Sequence, residues 1–140
     1  MKSACSLDTN VLIYAAAGKI DEPRKYAIAV DLLREADIRL SAQVLAEFAN
    51  NAFKKFADVI SADELDEWLT MLSRFPCVPV DADLVRSGVF FARRYQISYF
   101  DGALLAAAER LQTPILYTED LNHNQLYGSV RVVNPFRPNE

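Results

Sequence analysis

The segment ACSLDTNVLI, residues 4 to 13, joins a predicted strand to a predicted helix and is the strongest indication of the fold. Its first four residues form a short apolar run that is typical of a buried strand. Asp8-Thr9-Asn10 then introduces an apolar helix, which we expect to extend to Ala17 and to end at Gly18. A carboxylate at such a junction either caps the helix or faces a site at the carboxyl end of the sheet.

Short apolar runs and amphipathic segments alternate along the rest of the chain. Further strands are predicted at residues 38–41, 77–80, 115–118 and 130–133, and further helices at 23–36, 42–56, 61–75, 81–95 and 101–111. Such alternation indicates a mostly parallel sheet with helices on both faces. We therefore predict an α/β fold with three layers, α/β/α, in one domain of residues 1–140, with a loose tail over residues 135–140.

Composition favours a folded protein with a substantial core. With 140 residues and 51% hydrophobic content, the chain buries roughly two-thirds of its unfolded surface. Cys5 and Cys77 lack a metal-ligand spacing, so both are expected to be reduced core thiols. No signal peptide opens the sequence and no run reaches the roughly 18 apolar residues of a membrane span. We expect a cytoplasmic protein with no membrane contact.

The charge pattern bears on nucleic-acid binding. A net charge of −4 argues against a protein that coats nucleic acid by charge alone. Three basic clusters remain, at Arg24-Lys25, Lys54-Lys55 and Arg93-Arg94. Each is interpreted first as a solvated helix face, with phosphate contact as the alternative.

The helix at residues 42–56 is expected to include Phe53 in its buried stripe.

Four carboxylates lie at the ends of predicted strands or on the helices beside them: Asp8, Glu47, Asp101 and Asp120. Loops at the carboxyl ends of strands converge in an α/β sheet, so these acids would meet in space. Two carboxylates about 5 Å apart repel by roughly 3 kcal/mol at an effective dielectric of 20. Such a cluster needs shared protons or a bound cation, and we favour the cation.

Each acid also has a structural interpretation that the sequence leaves open. Asp8 fits an N-cap, and Asp101 fits the third position of a helix that Ser98 caps. Asp120 fits a turn after a strand, and Glu47 fits a solvated helix face. The sequence lacks the glycine-rich loops of phosphate-binding sites and the Gly-x-Ser-x-Gly turn of hydrolases. The single histidine, His123, is interpreted as a solvated loop residue.

At these motifs the chain resembles the PIN-domain nucleases and, among them, the VapC-type toxins of toxin–antitoxin pairs. The matching segments are LDTNVLI (residues 7–13), Glu47, SYFDGALLAAA (98–108) and LYTEDL (116–121). The resemblance covers roughly residues 4 to 134 and implies a PIN-like fold. Gly102 departs from the alanine common at its position, which suggests a looser helix start, and Glu119 leaves the identity of the fourth acid open.

The resemblance also implies a function: a toxic endoribonuclease that uses Mg²⁺, or Mn²⁺, to hydrolyse RNA. Asp8, Glu47, Asp101 and Asp120 would bind the metal and act in catalysis, with Thr9, Asn10, Ser98 and Thr118 in support. The expected partners are the RNA substrate, a cognate antitoxin and a second copy in a homodimer. A non-catalytic RNA- or protein-binding module, or a metal-dependent DNA nuclease or phosphatase, remains an alternative.

Overall fold

The computed structural model describes residues 3–138 and contains a six-stranded sheet in the order β3-β2-β1-β4-β6-β5. The strands are β1 (Ala4–Leu7), β2 (Asp37–Ser41), β3 (Cys77–Val78), β4 (Ile115–Tyr117), β5 (Leu126–Tyr127) and β6 (Val130–Val133). The helices are α1 (Thr9–Ala17), α2 (Pro23–Glu35), α3 (Ala42–Lys55), α4 (Ala62–Leu72), α5 (Ala82–Tyr95) and α6 (Tyr99–Arg110). Within the described residues no helix is long and apolar enough to cross a membrane.

Alternating side chains on the central strands separate two core layers. Cys5 and Leu7 of β1 belong to the apolar cluster formed with α1, α2, α3 and α4. Leu116 of β4 and Val132 of β6 belong to the cluster formed with α5 and α6. Every strand pairing is parallel except that between β5 and β6. The predicted three-layer α/β/α fold with a mostly parallel sheet is confirmed.

The strand order creates a crevice beside β1. This strand pairs in parallel with β2 on one side and with β4 on the other. The chain runs outward from β1 through β2 to β3 and then returns to β4, so the connections diverge between β1 and β4. Ligand sites in open α/β sheets lie where such connections diverge, outside the carboxyl ends of the strands. Asp8 follows β1 at this point, and its N–H donates to the Tyr117 carbonyl at 3.0 Å.

Two predictions about burial are wrong. Phe53 is 75% exposed, because α3 buries Val44, Phe48 and Ala52 and turns the next position outward. Cys77 is exposed, since β3 is an edge strand, although it is a free thiol as expected. Within the segment predicted to be a loose tail, Phe136 is buried and meets the Tyr14 ring edge-on at 5.1 Å. The last two residues of that tail lie outside the described residues.

The hairpin of β5 and β6 was not predicted, although β6 was. β5 has only two residues, too few for an alternating pattern to appear. The turn depends on Gly128, whose φ of +59° is in the left-handed region that favours glycine. Its N–H donates to the Tyr95 hydroxyl at 2.7 Å, which ties the hairpin to α5.

Candidate functional site

The acids predicted from the sequence, Asp8, Glu47, Asp101 and Asp120, all line one cavity of about 170 Å³. They come from the end of β1, from α3, from the first turn of α6 and from the loop after β4. None of the described residues that line this cavity is lysine, arginine or histidine. The cavity therefore concentrates negative charge without a basic side chain in its wall.

Asp8 combines the two roles that its sequence position allows. It caps α1, with Oδ1 accepting from the Thr9 N–H at 2.6 Å, and its Oδ2 accepts from the Thr118 hydroxyl at 2.7 Å. Burial raises the pKa of Asp8 to about 6, the charge of Asp120 adds to this rise, and the Thr118 hydrogen bond opposes it. Asp8 thus caps α1 and also presents to the cavity a carboxylate that is costly to ionise.

Glu47 is held by two neighbours rather than left in solvent. The Thr9 hydroxyl donates to its Oε2 at 3.0 Å, and the Gln43 amide donates to its Oε1 at 3.1 Å. Gln43, Glu47 and Asn51 all line the cavity. Their four-residue spacing puts them on one face of α3. That spacing is visible in the sequence, and it identifies Gln43 and Asn51 as site residues that the sequence analysis missed.

Asp101 lies at the start of α6. Its N–H donates to the Ser98 hydroxyl oxygen at 3.1 Å, as the capping pattern predicts. Burial raises the pKa of Asp101, and the charges of Asp120 and Glu47 raise it further, although its interaction with Ser98 opposes the rise. Ser98 itself is exposed and supports the helix start from outside the cavity wall.

The loop after β4 separates two adjacent acids. Asp120 lines the cavity, and its N–H donates to the Thr118 hydroxyl at 3.1 Å. Glu119 instead accepts from the Tyr14 hydroxyl at 2.6 Å and from the Lys25 ammonium at 2.9 Å. Burial works to raise the pKa of Glu119, but these two hydrogen bonds outweigh it and the pKa is lowered. Asp120 is thus the fourth acid of the cavity.

The remaining predicted residues have clear positions. Asn10 and the buried Thr9 line the cavity, whereas Thr118 is buried and contacts Asp8 from outside the lining. His123 lies outside the cavity wall, where its Nδ1 accepts from the Asn134 N–H at 3.0 Å. This bond joins its loop to the chain after β6, so His123 is only partly solvated and has a structural contact.

The cavity suits a hard divalent cation in its donor chemistry. Carboxylate oxygens are the ligands that Mg²⁺ prefers, and the described part of the wall supplies no competing basic group. Within residues 3–138, however, no group of three or more Asp, Glu, His or Cys side chains is arranged to hold a metal ion. Mg²⁺ commonly takes only one or two carboxylates directly and keeps several waters. The residues present fit a hydrated ion of this kind.

The sequence matches the family model described as PIN domain over residues 6–128. No curated protein sequence matches the chain significantly. Among solved structures, similar folds include a toxin–antitoxin complex from Klebsiella pneumoniae, with a TM-score of 0.68 and 20% identity over 94% of this chain and 97% of that one.

Two further structures are similar. One is the Mycobacterium tuberculosis VapC20, described as a sarcin–ricin loop cleaving toxin, with a TM-score of 0.65 and 16% identity over 83% of this chain and 89% of that one. The other is VapBC2 from Rickettsia felis bound to a DNA fragment from its promoter, with a TM-score of 0.62 and 18% identity over 92% and 96% of the two chains. At these identities the similarity is one of fold.

Proposed function

Because this chain belongs to the PIN domain family, we propose that it is a metal-dependent endoribonuclease and the toxin of a toxin–antitoxin pair. One observation carries the proposal: carboxylates from separate segments of the chain line a single cavity, and among residues 3–138 no basic side chain lines it. A purely structural role for these acids, as helix caps or turn residues, does not require them to face one another.

The electrostatics of the cavity support a bound cation. Burial raises the pKa of Asp8 to about 6 and also raises that of Asp101, and in both cases Asp120 adds to the rise. The protein alone therefore leaves the ionised cluster poorly stabilised. A divalent ion in the cavity would reverse this effect, because an opposite charge within about 4–6 Å favours the ionised form of a carboxylate.

In this proposal Asp8 and Asp101 would hold Mg²⁺ directly, and Glu47 and Asp120 would complete its surroundings or orient the attacking water. Bound Mg²⁺ would supply Lewis-acid chemistry, polarising the phosphoryl oxygen, activating a water and stabilising the leaving oxygen. Asp8 accepts one hydrogen bond on each oxygen, so it keeps acceptor positions that can face the cavity. Thr118 fixes the orientation of its carboxylate.

The polar neighbours would preserve this geometry when substrate enters. Thr9 and Gln43 hold both oxygens of Glu47, and Ser98 anchors the helix turn that carries Asp101. Such supporting groups orient metal-binding side chains, and their removal commonly costs 10- to 100-fold in metal affinity or activity, as an order of magnitude. The same groups would hold the acids close together before the ion binds.

Adjacent acids provide a matched test of the enzymatic activity. Purified protein is incubated with structured RNA in Mg²⁺, and Asp120→Asn is compared with Glu119→Gln. We expect Asp120→Asn to abolish cleavage and Glu119→Gln to retain much of it, because only Asp120 lines the cavity. Cleavage that persists in EDTA, or that survives Asp120→Asn, would contradict the proposed mechanism.

The same assay separates the competing functions. A matched DNA hairpin in place of RNA tests for a DNA nuclease, and a phosphomonoester tests for a phosphatase. RNA that is bound but left intact in Mg²⁺ would instead support a non-catalytic binding module.

The proposed antitoxin partner is supported by the similar folds, which include a toxin–antitoxin complex. Expression of this chain should arrest growth, whereas the Asp8→Asn variant should not. Co-expression of the product of a small neighbouring gene should relieve the arrest and yield a complex that co-purifies. Equal growth arrest by the wild-type chain and by Asp8→Asn would show that toxicity does not depend on the acidic cavity.

A further inference from the structure

The outward face of α5 carries what we call the α5 patch: Val85, Arg86, Val89, Phe90, Arg93 and Arg94. These six residues, all from one helix, line a surface depression of about 590 Å³. The helix turns Leu84, Gly88 and Phe91 inward, so the α5 patch lies on the face directed away from the core. It combines three cations with three apolar side chains and includes no acid.

The cations of the α5 patch are available to a ligand. Arg86 pairs with Asp83 at 2.8 Å, but their side chains are 79% and 78% exposed, and exposed pairs of this kind are weak. The Arg94 guanidinium lies over the Tyr95 ring at 5.2 Å, which leaves its hydrogen-bond donors unused by that contact. Although the chain has a net charge of −4, the three arginines make this patch locally positive, which favours binding of an anionic ligand.

The spacing of the α5 patch matches a polynucleotide strand. Arg86 and Arg93 are seven residues apart, which corresponds to about 10 Å along a helix. At roughly 3.4 Å per phosphate in a stacked strand, this distance spans about three nucleotides. Phe90, which is 58% exposed, lies between them in the sequence. Aromatic side chains among cations are the elements that bind single strands, by base stacking and phosphate contact.

The first turn of α5 contributes to both surfaces, the α5 patch and the acidic cavity. Leu84 lines that cavity, and the next residue, Val85, is the first residue of the α5 patch. A strand that leaves the cavity at this turn and follows the outward face of α5 would meet Arg86 first and then Arg93 and Arg94. A second copy of this chain fits less well. In a two-fold contact centred on Val89, Arg86 of one copy would approach Arg93 of the other, and facing like charges disfavour association.

We propose that the α5 patch binds single-stranded RNA that flanks the cleaved bond. This inference rests on the proposed endoribonuclease function and adds the surface that holds the substrate outside the cavity. The cations would contact phosphates and Phe90 would stack on a base. The α5 patch would then contribute to substrate affinity and not to the chemical step.

The test compares two triple variants that remove the same charge. One is Arg86→Gln/Arg93→Gln/Arg94→Gln, and the control is Lys54→Gln/Lys55→Gln/Arg74→Gln, whose three cations are exposed elsewhere. Both are made in an Asp8→Asn background, and the Kd for a labelled single-stranded RNA is measured by fluorescence anisotropy in Mg²⁺ at several salt concentrations. We expect the α5 variant to raise Kd about tenfold or more and to reduce the salt slope by about 2, at roughly 0.7 per phosphate.

Two additional measurements strengthen the test. Phe90→Ala should raise Kd about fivefold or more, as the loss of one stacked base does. In the otherwise wild-type chain, the α5 triple variant should raise KM for RNA and leave kcat nearly unchanged. The control triple variant should change neither parameter by a comparable factor.

The outcomes distinguish the inference from the function on which it rests. If the wild-type chain cleaves RNA and the α5 variant keeps its Kd and KM, the inference is overturned and the proposed function stands. If the wild-type chain neither binds nor cleaves RNA, both are overturned. If Phe90→Ala changes the oligomeric state while RNA affinity is unchanged, the surface is an interface between copies and the inference is again overturned.

Discussion

Asp8→Asn should stabilise the metal-free protein at pH 8, although the substitution removes a helix-capping carboxylate. Burial raises the pKa of Asp8 from 3.8 to about 6, so the folded state disfavours the ionised form. The preference of the folded state for protonated Asp8 contributes stability below pH 4. That contribution is lost as the pH rises through 6. Wild-type stability in EDTA should therefore fall across this window.

The magnitude follows from the same values. A rise from 3.8 to about 6 corresponds to about 3 kcal/mol of lost stability at pH 8, at 1.36 kcal/mol per pKa unit. Asparagine is as good an N-cap as aspartate, so the cap to the Thr9 N–H is retained. The Thr118 hydroxyl loses a charged acceptor, which costs roughly 1 kcal/mol. The net expectation is a gain of about 1–2 kcal/mol at pH 8.

The assay is urea unfolding in EDTA from pH 4 to pH 8, with Asp81→Asn as the matched control. Asp81 also caps a helix, with a hydrogen bond from the Leu84 N–H at 2.8 Å, but it lies outside the cavity. Its pKa is lowered, first by that bond and then by Arg110, so Asp81→Asn should lose stability at pH 8. A loss of stability in Asp8→Asn at pH 8, or a wild-type curve that is flat between pH 4 and pH 7, would show that ionised Asp8 does not destabilise the folded state.

Three further substitutions test other parts of the site. Thr118→Val should cost about 1–3 kcal/mol of unfolding free energy, because the part-buried hydrogen bond from Thr118 to Asp8 is lost. The substitution should weaken RNA cleavage as well. Urea unfolding that is unchanged from the wild type would contradict this expectation. Gly102→Ala should cost about 1–3 kcal/mol of unfolding free energy by overpacking, because an added Cβ would meet the facing backbone of α5. A melting temperature at or above that of the wild type would contradict this expectation. Lys25→Met should cost less than about 1 kcal/mol of unfolding free energy and, like Glu119→Gln, should retain much of the cleavage, because Lys25 pairs with Glu119 at 2.9 Å and neither residue lines the cavity. Steady-state kinetics beside urea unfolding measure both effects, and loss of cleavage without loss of stability would contradict this expectation.

The fold was largely predictable because its signals are local. Apolar runs and helix periodicity placed each predicted element within a few residues of its position in the structure, and Ser61 and Ser98 cap helices as their motifs indicate. The position of the acids was also predictable, because a parallel sheet brings the carboxyl ends of its strands to one edge. The sequence did not show whether Glu119 or Asp120 faces the cavity. Glu119 is held by Lys25 and Tyr14, which are distant from it in sequence.

The features that were missed depend on tertiary packing. Phe53 is apolar, yet it lies one position beyond the buried stripe of α3, which only the packing of that helix defines. Gly102 departs from the expected alanine because α5 and α6 approach too closely for a Cβ to fit at this position. The sequence suggested a looser helix start there, whereas the structure shows a close contact between two helices.

The acidic cavity should bind a divalent ion, and isothermal titration calorimetry of Mn²⁺ into the purified protein at pH 8 measures this binding. We predict saturable binding by the wild-type chain and by Glu119→Gln, and at least tenfold weaker binding by Asp101→Asn, whose carboxylate lines the cavity. Wild-type protein that binds no ion, or Asp101→Asn that binds as tightly as Glu119→Gln, would contradict the account.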